Sequence, residues 1–160
     1  MKNLVAFLVI LGIIGGIAMK YINAFPVLDE TVKEKWAQVQ NQYKRRADLI
    51  PNLVKTVQGY ASHEEGVFKE VTEARSKASQ MTIDVSSLDD PAKLKEFENA
   101  QKTLGGALSR LMAITENYPQ LKADQNFLSL QSQLEGTENR IAVARKDYIA
   151  AVKDYNIALR

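Results

Sequence analysis

The single histidine of this chain, His63, stands immediately before Glu64 and Glu65. A histidine among carboxylates invites metal binding or acid–base chemistry. Adjacent helical residues do not share a face, however, and neither the HExxH nor the ExxH spacing of zinc and di-iron helices is present. His63 therefore reads as a surface residue in a first helical turn. The chain has no cysteine, which excludes disulfides, thiolate metal sites and cysteine nucleophiles but leaves the compartment open. The sequence predicts no catalytic residue, no metal ligand and no cofactor.

Two charged runs carry more information. Arg46 or Ala47 falls on the inward stripe of one helical segment, and Thr137 or Glu138 on that of another. Between Leu134 and Ile141 the apolar pattern lapses into Glu135-Gly136-Thr137-Glu138-Asn139-Arg140. A buried charge is costly unless it is paired and hydrogen-bonded. The pattern predicts a cross-helix network near Pro51, in which Arg45 or Arg46, Asp48 and Asn52 meet Glu135, Glu138 or Arg140. Such a network fixes register and helix order. Two other readings stay open: a small polar binding site at a kink, and a solvated face.

The elements that must position these groups are helical. Leu28, Val32, Trp36, Val39, Tyr43, Ala47, Ile50, Leu53 or Val54, and Val57 recur at steps of three and four. Phe25-Pro26 predicts a short break before this stripe, with Asp29 and Glu30 in the first turn. Pro51 interrupts the run without breaking its phase, so a kink is expected there, not a stop. Gly59 ends the segment, and Ser62-His63-Glu64-Glu65 predicts a capping box for a second helix. That helix turns Val67, Phe68, Val71, Ala74 or Arg75, and Ala78 inward. Residues 82–90 read as the clear loop. Asp90 before Pro91 marks the next N-cap, and Leu94, Phe97, Leu104, Leu108 and Leu111 share one face. Gly105-Gly106 within it predicts close helix packing. Asp124 caps a last helix carrying Phe127, Leu130, Leu134, Ile141, Ala144, Tyr148 and Tyr155. The tyrosines and Trp36 are expected in the core, with hydroxyls at the bundle edge. No segment alternates with a period of two. The fold expected is all-α: an N-terminal transmembrane helix followed by an antiparallel up-and-down bundle of about four long helices.

Residues 4–19 hold no charge, no proline and no polar side chain, and are flanked by Lys2, Lys20 and Tyr21. This approaches the ~17–20 residues that a helix needs to cross a hydrocarbon core. A cleavable signal peptide is the alternative, but Ile22-Asn23-Ala24 fits a small-x-small site poorly and no lipobox cysteine exists. Residues 1–23 are therefore expected to be an anchor, and 24–160 the bundle. Gly12 and Gly16 stand four apart, the spacing of a transmembrane packing face. Lysine and arginine total 21 against 19 acids, and residues 1–20 hold two of the lysines and no acid, so the rest balances at 19 against 19. Nucleic acid is therefore not an expected partner.

In this order along the chain, Lys44-Arg45-Arg46-Ala47-Asp48-Leu49-Ile50-Pro51-Asn52-Leu53-Val54, Gly59-Tyr60-Ala61-Ser62-His63-Glu64, Thr72-Glu73-Ala74-Arg75, Tyr118-Pro119, Leu134-Glu135-Gly136-Thr137-Glu138-Asn139-Arg140-Ile141-Ala142 and Tyr148 to Asn156 resemble the LemA family. The resemblance implies a bacterial envelope protein, anchored at its N-terminus, with an antiparallel helical bundle and no established reaction. The sequence then fits a non-catalytic scaffold or adaptor on the cytoplasmic (inner) membrane, single-pass, its partners the lipid bilayer and either itself or another envelope membrane protein. A membrane-shaping assembly and a small hydrolase or metalloprotein are the alternatives. Lys20, Lys33 and Lys35 outweigh Lys2 and the α-amino group, tipping the bundle toward the cytoplasmic side.

Overall fold

The computed structural model describes residues 2–83, 87–88 and 90–160; within residues 2–24 it describes the side chains of Val9, Leu11, Ile13 and the two glycines Gly12 and Gly15 alone. Among these residues there are five helices and no strand: α1 (Lys2–Gln58), α2 (Glu65–Gln80), α3 (Pro91–Thr115), the single turn α4 (Pro119–Lys122) and α5 (Gln125–Ala158). Four are long, as expected. Cross-helix bonds give their directions. Tyr60 meets Asp124, Arg46 meets Glu138, and the Trp36 ring lies 5.1 Å from that of Tyr148, so α1 and α5 are antiparallel. Glu64 meets Tyr118 and Glu70 meets Arg110, so α2 and α3 are antiparallel too. The chain runs up, down, up and down.

α1 does not break at Phe25-Pro26. It passes through Pro26 and Pro51 as one helix of 57 residues. A proline costs a helix one amide donor, yet helix-forming residues on both sides can carry the ladder past it. Asp29 and Glu30 consequently sit inside the helix, where Lys33 pairs with them at 2.7 and 2.9 Å. Among the residues with described side chains, no helix is long and apolar enough to cross a membrane. The expected anchor falls largely outside that set, as does the environment of Gly16.

Two further local expectations are corrected. Ser62 does not cap α2: Glu64 holds the N-cap position without a side-chain cap bond, and its carboxylate accepts from the Tyr118 hydroxyl at 3.4 Å. The N-cap falls two residues after Ser62, so Glu65, the acidic member of the expected box, stands at the first helical position and not the third. Gly105 and Gly106 are not points of close approach, because a Cβ at either would meet nothing within 4 Å. The caps on the later helices follow the sequence. Asp90 accepts from the amides of Ala92 and Lys93, and Asp124 from that of Phe127.

The buried side chains form two apolar clusters. One gathers Ile50, Leu53, Val57, Phe68, Val71, Leu104, Leu111, Leu121 and Phe127. The other gathers Trp36, Val39, Tyr43, Ile83, Phe97 and Ile141 around edge-to-face aromatic pairs. Tyr60 departs from the expected core placement and is 43% exposed.

Candidate functional site

Between the two clusters lies a polar layer. Along α1 the order is Tyr43, Arg46, Ile50; along α3 it is Phe97, Gln101, Leu104; along α5 it is Leu134, Thr137, Ile141. Arg46, Gln101 and Thr137 are 4, 7 and 0% exposed. Arg46 Nη1 donates to Glu138 Oε1 at 2.9 Å, while Nη2 donates to the side-chain and main-chain oxygens of Gln101 at 2.7 and 3.2 Å. Its guanidinium carbon lies 5.1 Å from the centre of the Tyr43 ring. Among the described residues, Arg46 Nε has no hydrogen-bond partner. One arginine therefore ties α1 to α3 and α5 across a plane that apolar packing alone could let slip.

The other residues expected in this network are placed differently. Arg45, Asp48, Asn52, Glu135 and Arg140 are exposed. Glu135 accepts from Gln131 and Arg140 donates to the Gly136 carbonyl, both within α5. Neither reaches another helix, since both stand one position off the inward stripe. Only Arg46 and Glu138 of the expected set meet. Gln101 carried a readable signal, being the polar member of the Phe97, Leu104, Leu108 stripe.

Pro51 explains a second arginine. A proline at position 51 removes the amide that would bond the carbonyl of Ala47, four residues earlier. Arg75 of α2 supplies that donor, its Nε lying 2.7 Å from the Ala47 oxygen. The helix irregularity in α1 thus selects a partner on α2. Arg46 and Arg75 together bring all four long helices to one level.

Openings flank this layer. A cleft of about 450 Å³ between α1, α2 and α3 is lined by Tyr43, Lys44, Asp48, Arg75 and Gln101. A larger groove of about 1000 Å³ runs between α3 and α5, floored by Leu108, Phe127 and Leu134 with Glu138 at its rim. His63 is exposed in the turn between α1 and α2. Among the described residues, no three of His, Asp or Glu gather closely enough to hold a metal ion.

At the far end of the bundle, Tyr60 donates to Asp124 at 2.9 Å. The Phe127 amide first, and the Tyr60 hydroxyl second, hold the Asp124 carboxyl below the usual carboxylate range. The same bond, with the Asp124 charge behind it, raises the Tyr60 phenol. Loss of hydration, then the nearby Glu64, raises that of Tyr118. At the opposite end the Ile83 carbonyl, in the α2–α3 connection, accepts from Trp36 Nε1 at 3.2 Å and from Gln40 at 2.5 Å.

The family model described as the LemA family matches residues 35–160. Magnetosome protein MamQ 1 of Paramagnetospirillum magneticum (strain ATCC 700264 / AMB-1) is 28% identical over 171 aligned positions, covering 97% of this chain and 62% of that protein. Magnetosome protein MamQ of Magnetospirillum gryphiswaldense is 28% identical over 173, covering 98% and 61%. Protein LemA of Metamycoplasma hominis is 26% identical over 118, covering 74% and 50%. The chain spans about three-fifths of the length of these magnetosome relatives.

Proposed function

The chain belongs to the LemA family, and from that premise we propose that it is a non-catalytic, membrane-anchored helical scaffold or adaptor of the bacterial envelope. Residues 1–23 serve as a single-pass anchor in the cytoplasmic membrane, and α1 carries them without interruption into the bundle. The observation behind this reading is that Val9, Leu11 and Ile13, on different sides of α1, are 55, 55 and 57% exposed, within a run of residues 4–19 that holds no charge. Apolar side chains exposed around a helix need cover, and a bilayer supplies it. The bundle itself supports an assembly role. Arg46 and Arg75 use their guanidinium groups to join helices, and the one histidine is exposed.

The test uses the full chain in its native membrane. Alkaline carbonate should leave it in the membrane fraction, and in-membrane cross-linking should capture it with a defined protein, a second copy included. Release by carbonate would overturn the anchor. Failure to cross-link to any protein, alongside a turnover activity lost in Arg46→Ala, would overturn the scaffold.

A further inference from the structure

Single exposed apolar residues are ordinary on a protein surface, and Tyr60, Leu128 and Val143 are exposed elsewhere on the bundle, but Val27, Ile157 and Leu159 gather at one end. Val27 is 65% exposed, and Ile149, Ile157 and Leu159 are 61, 61 and 57% exposed. Register gives their position. Each step along α1 from Tyr60 to Arg46 to Trp36 is matched by an equal step along α5 from Asp124 to Glu138 to Tyr148. Carried to the end of α5, the same register sets Ile157 level with Val27 and Arg160 level with residue 24. At a rise of 1.5 Å per residue, these positions lie roughly 6–10 Å from Lys20, where the apolar segment closes.

Beside Val27, Asp29 and Glu30 pair with Lys33, but along α5 one stripe carries charges of a single sign. At 100° per residue, Lys146, Ile149, Lys153, Ile157 and Arg160 fall within a stripe about 80° wide, with Asp147 and Asp154 off it. All five are exposed. Lys146, Lys153 and Arg160 form no ion pair among the described residues, although the rest of the bundle interleaves its charges. An apolar face edged with unpaired cations suits the boundary layer of an anionic bilayer, where long basic side chains reach phosphates and aliphatic ones enter the acyl margin.

We propose that the Ala158 end of α5 is a second membrane contact, with Ile157 and Leu159 in the headgroup layer of an anionic bilayer and Lys153 and Arg160 on lipid phosphates. This rests on the anchor described above. With two attachment points the bundle stands at a fixed rotation about α1 and does not swivel freely on its anchor.

Because the chain has no cysteine, one introduced thiol reports one position. A polarity-sensitive probe is placed on full-length protein at Leu11→Cys, Asn156→Cys or Ala123→Cys, the last at the opposite end of the bundle. Each is reconstituted into phosphatidylcholine vesicles with and without phosphatidylglycerol, and quenched by spin-labelled lipid. The Leu11 probe should be quenched in both. The Asn156 probe should be quenched several-fold more than the Ala123 probe in the anionic vesicles, and Lys153→Glu with Arg160→Glu should abolish the excess. An Asn156 probe as water-exposed as the Ala123 probe, while the Leu11 probe is quenched, overturns the second contact and leaves the anchor standing. An unquenched Leu11 probe overturns both. Quenching at Asn156 that ignores lipid charge and the charge reversals overturns the assignment to an anionic surface.

Discussion

Arg46 and Arg75 solve different problems with the same side chain. Arg46 occupies a core position and must find acceptors there, and it does so on Gln101 and Glu138. Its carboxylate partner is 46% exposed, so water shares the charge of Glu138 after the arginine is removed. The main cost of Arg46→Ala is therefore the cavity and the stranded oxygens of Gln101, about 2–4 kcal/mol by urea unfolding, with Glu138→Gln below about 1 kcal/mol. Equal costs for the two would mean that the ion pair, not the buried hydrogen bonds, holds the layer. Arg75 answers a backbone defect. Arg75→Ala should cost about 1–3 kcal/mol, because it leaves the Ala47 carbonyl without a donor. In a Pro51→Ala background the restored amide at position 51 bonds that carbonyl, and most of the Arg75→Ala cost should vanish. Strict additivity in this double-mutant cycle would show that Arg75 acts through something other than the proline.

At the scale of elements, the length and inward faces of the helices were legible because period fixes a face. Val39, Tyr43, Ile50, Phe68, Val71, Leu104, Leu111, Phe127 and Ile141 are buried where their spacing puts them. Asp90 and Asp124 cap because an acceptor before a helical turn meets its free amides whatever the tertiary setting. What the sequence hid depends on partners far along the chain. Pro26 looked like a break and lies inside a helix, the N-cap of α2 falls at Glu64 and not at Ser62, and Gly105-Gly106 faces open space. Of seven residues expected in one polar network, two meet, because a helical stripe narrower than one residue cannot be phased by eye from charges. The Tyr60–Asp124 bond, which ties the end of α1 to the start of α5, is of this long-range kind, and it has a pH signature. A carboxyl whose folded pKa lies below its unfolded value of about 3.9 contributes in full above that value. The contribution is lost as pH falls through the lowered folded value. Tyr60 is the mirror case: its raised phenol contributes below about pH 10 and loses the contribution as pH rises through the folded value. Urea midpoints measured across this range should fall at both extremes. Asp124→Asn, which keeps a cap acceptor, should flatten the acid limb, and Tyr60→Phe the alkaline one. An acid limb unchanged in Asp124→Asn would assign it to other carboxylates.

For the whole molecule, one long helix carries information from the apolar segment to the bundle. Gly12 and Gly16 stand four residues apart, one turn of α1. A Cβ at Gly12 would meet nothing within 4 Å, which leaves that backbone open to a second helix. The balanced charge of residues 21–160, 19 against 19, sets no repulsive field against such pairing. Full-length protein in mild detergent should therefore run as an oligomer by light scattering, and Gly12→Leu with Gly16→Leu should weaken it by removing close backbone approach. A fragment from Asp29 onward should unfold cooperatively and stay mostly monomeric, because both apolar clusters lie within it. A full-length protein that is monomeric over a wide concentration range would remove self-assembly from the scaffold's repertoire. A fragment that oligomerises as well as the full chain would move the contact from the Gly12 and Gly16 pair to the bundle, where the groove between α3 and α5 is uncovered.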